Sequence, residues 1–219
     1  MKVVIHLNKD LLLKNTVKGI EAGIMVSIGG SVFLGCDNKI VGSVLFCVAL
    51  IVICINNYSL YTGKIGFILE CRTKEENAAI FLGLLGNIVG TLLCGWILRA
   101  GIPALGSTAS EICAAKLTQN AFSTLIRGIF CGILMYCAVS TFRNRNTLAG
   151  ILFCIPVFIL SGFEHSIADV FYFTIGGSLN PKAIAFLCIV LVGNSVGANV
   201  MPLLNLVEKS VGGDKKTGS

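Results

Sequence analysis

Four stretches of the chain, about 18–36, 78–100, 121–142 and 185–207, are apolar at nearly every position rather than along one face. A helix surrounded by apolar material on all sides has this pattern, and each stretch is near the ~20 residues that a helix needs to cross a bilayer. Two further apolar segments, 40–71 and 148–179, are too long for one straight crossing, and polar residues interrupt both. In the first, the interruption is Asn56-Asn57-Tyr58-Ser59; in the second, it runs from Glu164 to Asp169 and contains His165. The pattern predicts two broken helices, each a pair of halves joined by irregular backbone at membrane depth. Such backbone is tolerated only where it is buried in protein or lines a watery cavity.

The two halves of the chain repeat one another. Gly-Asn-Ile-Val-Gly at 86–90 recurs as Gly-Asn-Ser-Val-Gly at 193–197, 107 positions later. The same shift carries the first apolar stretch onto 121–142, the loop 37–39 onto 144–146, and the first interruption, 56–62, onto 163–169. Three crossings per repeat is an odd number, so the halves insert in opposite senses, as in many channels and transporters. The expected fold is therefore an all-α integral membrane protein with six transmembrane helices. They form two inverted three-helix repeats, with the second and fifth helices broken, in an aquaporin-like build. The expected organisation is an interfacial or cytoplasmic helix over 1–17 and a channel domain over 18–207. Its repeats span about 18–100 and 121–207, and a cytoplasmic tail covers 208–219.

Composition supports this reading. The chain is 55% hydrophobic with a mean hydropathy of +0.86, and its 13% of charged residues is about half the ~25% of soluble domains. The N-terminal lysines (Lys2, Lys9, Lys14 and Lys18) are spread through an amphipathic stretch, which is not the pattern of a cleavable signal. The net charge of +6 forms no dense basic stripe, so no nucleic-acid partner is expected. Topology accounts for it instead. With both termini inside, Lys2, Lys9, Lys14, Lys18, Arg72, Lys74, Arg143, Arg145, Lys209, Lys215 and Lys216 fall on the cytoplasmic side. Only Lys39, Arg99, Lys116 and Lys182 fall outside. The ten cysteines include no CxxC pair and sit mostly in apolar segments as small hydrophobes, so neither metal nor cofactor is predicted. The paired glycines Gly86, Gly90, Gly193 and Gly197 predict close helix crossings.

Ser-Gly-Phe-Glu-His-Ser-Ile-Ala-Asp at 161–169 closely resembles the GFEHSIAN signature of the formate/nitrite transporter family, small pentameric anion channels of the cell membrane. Asn-Asn-Tyr-Ser-Leu-Tyr-Thr-Gly at 56–63 resembles that family's loop in its broken second helix. The resemblance covers about 15–207. It implies that His165 is the central pore histidine, that Thr62 faces it across the lumen, and that Leu60, Leu50, Phe46 and Phe158 form hydrophobic constrictions. It also implies that Lys116 is a vestibule lysine and that the chain assembles as a homopentamer in lipid. Three positions depart from the family pattern: Asp169 stands where asparagine is usual, Lys64 is additional, and Gly132 aligns with a common asparagine.

The chemistry fits such a path. Charge at the bilayer centre is expensive, which makes an intramembrane histidine a functional candidate. An unperturbed imidazole titrates at about pH 6.5, suited to exchanging a proton with a weak acid. The alternative is a neutral histidine that holds the loop by hydrogen bonds. Asp169 beside an anion path requires neutralisation, and Lys64 on the other break is the expected ion-pair partner; the alternative is a Lys64 that snorkels toward a vestibule. Glu164 is expected to brace the loop by accepting its backbone N–H groups, and the position of Arg127 is undecided. The expected function is passage of small monovalent anions such as formate, nitrite, hydrosulfide or short monocarboxylates. A neutral-solute or water pore is the rival within that class, though no paired Asn-Pro-Ala triplets occur. A membrane-embedded metal-dependent enzyme is the rival outside it, with one histidine in the apolar region and no HExxH. A structural scaffold would not need polar groups at both breaks.

Overall fold

The computed structural model describes residues 9–71 and 73–213. Expectations for 1–8 (with Lys2), for Arg72, and for 214–219 (with Lys215 and Lys216) lie outside the described residues. Regular structure among the described residues is helical throughout. The first half comprises α1 (Lys9–Gly35), α2 (Lys39–Ile55), α3 (Tyr61–Lys64) and α4 (Lys74–Gly101). After α5 (Pro103–Lys116), the second half comprises α6 (Ala121–Arg145), α7 (Ala149–Leu160), α8 (Ser166–Ile175) and α9 (Pro181–Gly213). A 3₁₀ segment, Ile65–Glu70, continues α3.

Four apolar helical stretches are long enough to cross a membrane: Leu13–Gly35, Lys74–Gly101, Ala121–Arg145 and Pro181–Ser210. Their ends follow local chemistry. Thr73 and Glu76 form a capping box at the start of α4, Asn120 caps α6, and Asn38 caps α2 through the Ile40 and Val41 N–H groups. Helix α1 runs unbroken from Lys9, so the segment expected over 1–17 and the first crossing are one helix where described. No proline or glycine falls between Lys9 and Lys18 to divide them. The connection between the repeats holds α5, which starts with Pro103 in its first turn, where a missing N–H costs nothing.

Helix α1 packs along α4, and α6 along α9, with backbones in contact. A Cβ on Gly23 would lie 2.6 Å from the Asn87 carbonyl oxygen, and one on Gly90 would lie 2.5 Å from that of Ile20. In the second pair, a Cβ on Gly193 would lie 2.8 Å from the Leu125 carbonyl oxygen, and one on Gly197 would overlap that of Ile129. Gly132 behaves likewise against the Asn194 carbonyl, so the larger side chain common in the family has no room there.

Helix α8 is buried within this frame, and α2 and α7 pack against it by one face each; together they supply much of the core, including Phe46, Leu50, Ile151, Ile155, Phe158, Phe171 and Phe173. Each interrupted segment leaves its first helix through a left-handed residue, Asn57 (φ 53°) after α2 and Gly162 (φ 68°) after α7. Asparagine and glycine tolerate that conformation. The second break occupies 161–165, earlier than the predicted Glu164–Asp169. Ser166–Asp169 instead form the first turn of α8, because His165 caps that helix.

Candidate functional site

Each break is tied to a long helix by one fully buried asparagine. Asn87 of α4 accepts the Tyr61 N–H (2.8 Å) and donates to the carbonyls of Ser59 and Gly19 (2.8 Å each). Asn194 of α9 accepts the Ser166 N–H (2.8 Å) and donates to the carbonyls of Glu164 (2.8 Å) and Gly128 (2.9 Å). A primary amide offers one acceptor and two donors. It therefore complements the free N–H and C=O groups that a helix exposes where it stops. The matched break residues lie 105 positions apart, Ser59 with Glu164 and Tyr61 with Ser166. The asparagines of α4 and α9 lie 107 apart, whereas the Gly19 and Gly128 carbonyls that they reach on α1 and α6 lie 109 apart, so a shift of 107 aligns α4 with α9 and sets the breaks, and α1 against α6, out of step by two.

On that framework His165 makes two hydrogen bonds. Its Nδ1 accepts the Ala168 N–H (3.1 Å) as the N-cap of α8, and its Nε2 meets Thr62 Oγ1 at 2.8 Å. An accepting Nδ1 carries no proton, so the ring is the neutral tautomer with its hydrogen on Nε2, donating to Thr62. Leu60, the corresponding residue of the first break, caps α3 with no side-chain bond. Phe158 stacks on the His165 ring with centroids 5.8 Å apart, and Phe46 meets Phe158 edge-on at 6.4 Å. His165 and Thr62 are 4% and 1% exposed, so their bond is shielded from solvent in the chain.

Two cavities flank this layer. One, of about 380 Å³, is lined by Phe46, Phe158, His165, Lys116, Glu164 and Asp169, among others. The second, of about 400 Å³, is lined by Leu50, Leu60, Gly63 and Lys64, by Asn57, Glu76 and Arg143, and by mostly apolar residues of α2, α4 and α6. Phe46 and Leu50, one turn apart on α2, face different cavities, as do His165 and Leu60 at the two breaks. The residues predicted for the path thus come together, with Lys116 and Lys64 on opposite sides of the layer.

That separation overturns the predicted Lys64–Asp169 ion pair. Asp169 Oδ1 lies 2.9 Å from Lys116 Nζ, whereas Lys64 Nζ donates to Ser59 Oγ at 3.0 Å in the other cavity. Helix α5 brings Lys116 back over the start of α8, which no local pattern forecasts. The predicted role of Glu164 also needs correction. Its carboxylate accepts from Lys116 Nζ and from Gln119 Nε2 (2.7 Å), while Asn194 holds the loop backbone. One ammonium therefore serves two buried carboxylates, over the face of Tyr172. Asp169 Oδ2 is buried without a hydrogen-bond partner among the described residues. Arg127 spans Ser123 Oγ (3.2 Å) and the Gly162 carbonyl (2.7 Å), holding the left-handed turn of the second break. Gln119 and the two asparagines were missed from the sequence. The asparagines left a signal, since an amide at the same place in both repeats must find partners in an apolar setting.

Comparison with known proteins gives consistent matches. A family model described as formate/nitrite transporter matches residues 5–207. The nitrite transporter NirC of Salmonella typhimurium is 29% identical over 143 residues, 59% of this chain; the match spans about half, 53%, of that transporter's length. A solved pentameric formate channel with formate bound superposes with a TM-score of 0.77 at 22% identity, covering 94% of this chain and all of that one. An ion channel of the FNT family gives 0.75 at 21% identity, covering 92% of this chain and 90% of that one. At these identities the two solved structures establish likeness of fold.

Proposed function

The chain belongs to the formate/nitrite transporter family, and from that premise we propose that it passes small monovalent anions, or their conjugate acids, along a path between its two cavities. The family is one of multi-pass membrane transporters rather than enzymes. The substrates in view are formate, nitrite and hydrosulfide, with short monocarboxylates behind them. The solved relative with formate bound supports that size and charge class.

The observation that carries this reading is the Thr62–His165 hydrogen bond between the cavities, inside a layer of Phe46, Leu50, Leu60 and Phe158. A bare anion entering such a layer loses hydration worth tens of kcal/mol, by idealised transfer arguments. Falling dielectric raises the pKa of the acid, so an anion that takes up a proton at the layer crosses as a neutral molecule. The neutral ring of His165 has only its Nε2 hydrogen to give, so the proton comes from cavity water. His165 contributes by polarising Thr62: with its oxygen accepting from Nε2–H, the Thr62 hydroxyl donates its own hydrogen to the passing oxygen or nitrogen. Lys116 gathers the anion at the other end of that cavity, moderated by Glu164 and Asp169.

The finer architecture belongs to the same proposal. Six crossings in two inverted repeats accord with the packing of α1 on α4 and α6 on α9, and with the paired breaks. A homopentamer in the cell membrane with both termini cytoplasmic accords with the pentameric relative and the basic residues of the cytoplasmic loops. Large apolar side chains exposed on the chain's outer faces, such as Phe122, Phe153 and Ile97, would meet lipid or neighbouring subunits. The test is flux into proteoliposomes of formate, nitrite and hydrosulfide at an acidic and an alkaline pH. Saturable entry of at least one, faster at acidic pH, is expected. Entry no faster than into protein-free vesicles for all three would reject the proposal.

A further inference from the structure

We propose that Lys64 forms a second binding site for a small monovalent anion, in the cavity on the side of the layer away from Lys116. This deepens the anion-path reading and rests on it for the identity of the ligand. Lys64 ends α3, directly after the first break, and its ammonium lines the cavity of about 400 Å³ together with Leu50 and Leu60 of the layer. Its Nζ spends one hydrogen bond on Ser59 Oγ (3.0 Å). An ammonium has three N–H donors, so two remain for a ligand.

Lys64 differs from Lys116, the cation of the other cavity, in having no carboxylate paired with it among the described residues. The ion pairs among the described residues join Lys116 to Glu164 and Asp169, and Arg143 to Glu70. None reaches Lys64. Glu76 lines the same cavity, but its carboxylate accepts the Thr73 N–H in the capping box of α4. A second ammonium, that of Lys18, is held at the same break by the Asn57 carbonyl (3.2 Å), adding positive charge there. A half-buried cation in a mainly apolar cavity attracts an anion strongly, because the low dielectric weakens the field less than water does. The arrangement suits an anion with two or three acceptor atoms that has just passed Leu60. Two of its atoms can accept from the two N–H groups that Nζ has left. The path then carries a cation at each end. Lys116 is largely neutralised by its carboxylates, and Lys64 is free to hold the anion that leaves the layer.

The test uses the full chain as its native oligomer. Crystals of wild type and of Lys64→Gln are soaked in bromide, an anomalous scatterer of the required charge. In parallel, nitrite flux into proteoliposomes is measured as a function of nitrite concentration for wild type, Lys64→Gln and Lys64→Arg. The proposal predicts a bromide peak in contact with Lys64 Nζ in wild type and none there in Lys64→Gln. It also predicts an apparent KM for nitrite about tenfold higher in Lys64→Gln, the factor for losing one hydrogen bond to a charged group, with Lys64→Arg close to wild type. A wild type that conducts nitrite but shows no bromide at Nζ overturns the second site, as does an unchanged KM in Lys64→Gln. A wild type that conducts nothing rejects the anion-path reading, and the bromide peak still decides whether Lys64 binds an anion. If Lys64→Gln fails to assemble, the wild-type bromide peak and the Lys64→Arg kinetics decide the question.

Discussion

Replacing Asn194 with alanine tests how the second break is held. The side chain makes three hydrogen bonds, to Ser166 N–H and to the carbonyls of Glu164 and Gly128, at 2.8–2.9 Å, and it is fully buried. Gly128 lies within α6, so its carbonyl keeps its place in that helix when the amide is lost. Ser166 N–H and Glu164 C=O belong to the break and have no such substitute. A buried donor or acceptor left without a partner costs about 1–3 kcal/mol, so Asn194→Ala is expected to lose about 2–6 kcal/mol. At about 2–4 °C per kcal/mol for a chain of this length, the melting temperature should fall by roughly 5–20 °C. The assay is the thermal survival of the detergent-solubilised oligomer, followed by size-exclusion chromatography. Because Glu164 adjoins His165, nitrite flux should also fall well below wild type even where the oligomer survives. Asn87→Ala should behave in the same way at the first break, since it leaves Tyr61 N–H and Ser59 C=O without their partner. A melting temperature within measurement error of wild type for Asn194→Ala would refute the idea that the amide holds the break.

Other substitutions separate charge, hydroxyl and packing. Asp169→Asn keeps an oxygen for Lys116 and removes one of the two carboxylates beside it; the apparent KM for nitrite should drop several-fold in a concentration series, and a rise would contradict the charge argument. Thr62→Val keeps the shape but leaves His165 Nε2–H unpaired. At about 1–3 kcal/mol for that orphaned donor, nitrite flux should fall roughly tenfold or more, with Thr62→Ser close to wild type. Gly197→Leu places a side chain into the Ile129 backbone; no folded oligomer should elute on size exclusion, and a normal elution profile would dispute the close crossing of α6 and α9.

Much of the fold was legible because uniformly apolar stretches leave a helix few alternatives, and the polar clusters at 56–59 and 164–169 had to interrupt two of them. The first break was found almost in register. The second was placed late because Ser166 and Asp169 look like loop residues, whereas a histidine that caps its own following turn draws them into α8. Helix α5 left no clear apolar period in 103–116, which is rich in Ala, Ser and Thr, and its course decided where Lys116 arrives. Without it, Lys64, the basic residue on the other break, looked like the partner of Asp169. Pairing between residues 53 positions apart in sequence depends on packing that residue types alone do not specify. The glycines of the repeated Gly-Asn motif drew attention to packing, while the asparagine between them ties down both breaks.

The central claim is that small monovalent anions pass at the Thr62–His165 pair. Nitrite influx into proteoliposomes, measured from about pH 5 to about pH 8 for wild type, His165→Asn and His165→Phe, tests it most directly. Wild-type flux should saturate with nitrite and rise as the pH falls, because the neutral acid becomes more abundant. His165→Asn, whose amide N–H can still donate to Thr62, should keep the rise toward acidic pH at a reduced flux, and His165→Phe, which fills the layer and leaves Thr62 without its donor, should fall to a small fraction of wild type at every pH. Wild-type flux equal to that of protein-free vesicles, or variants whose flux equals that of wild type across the range, would contradict the account.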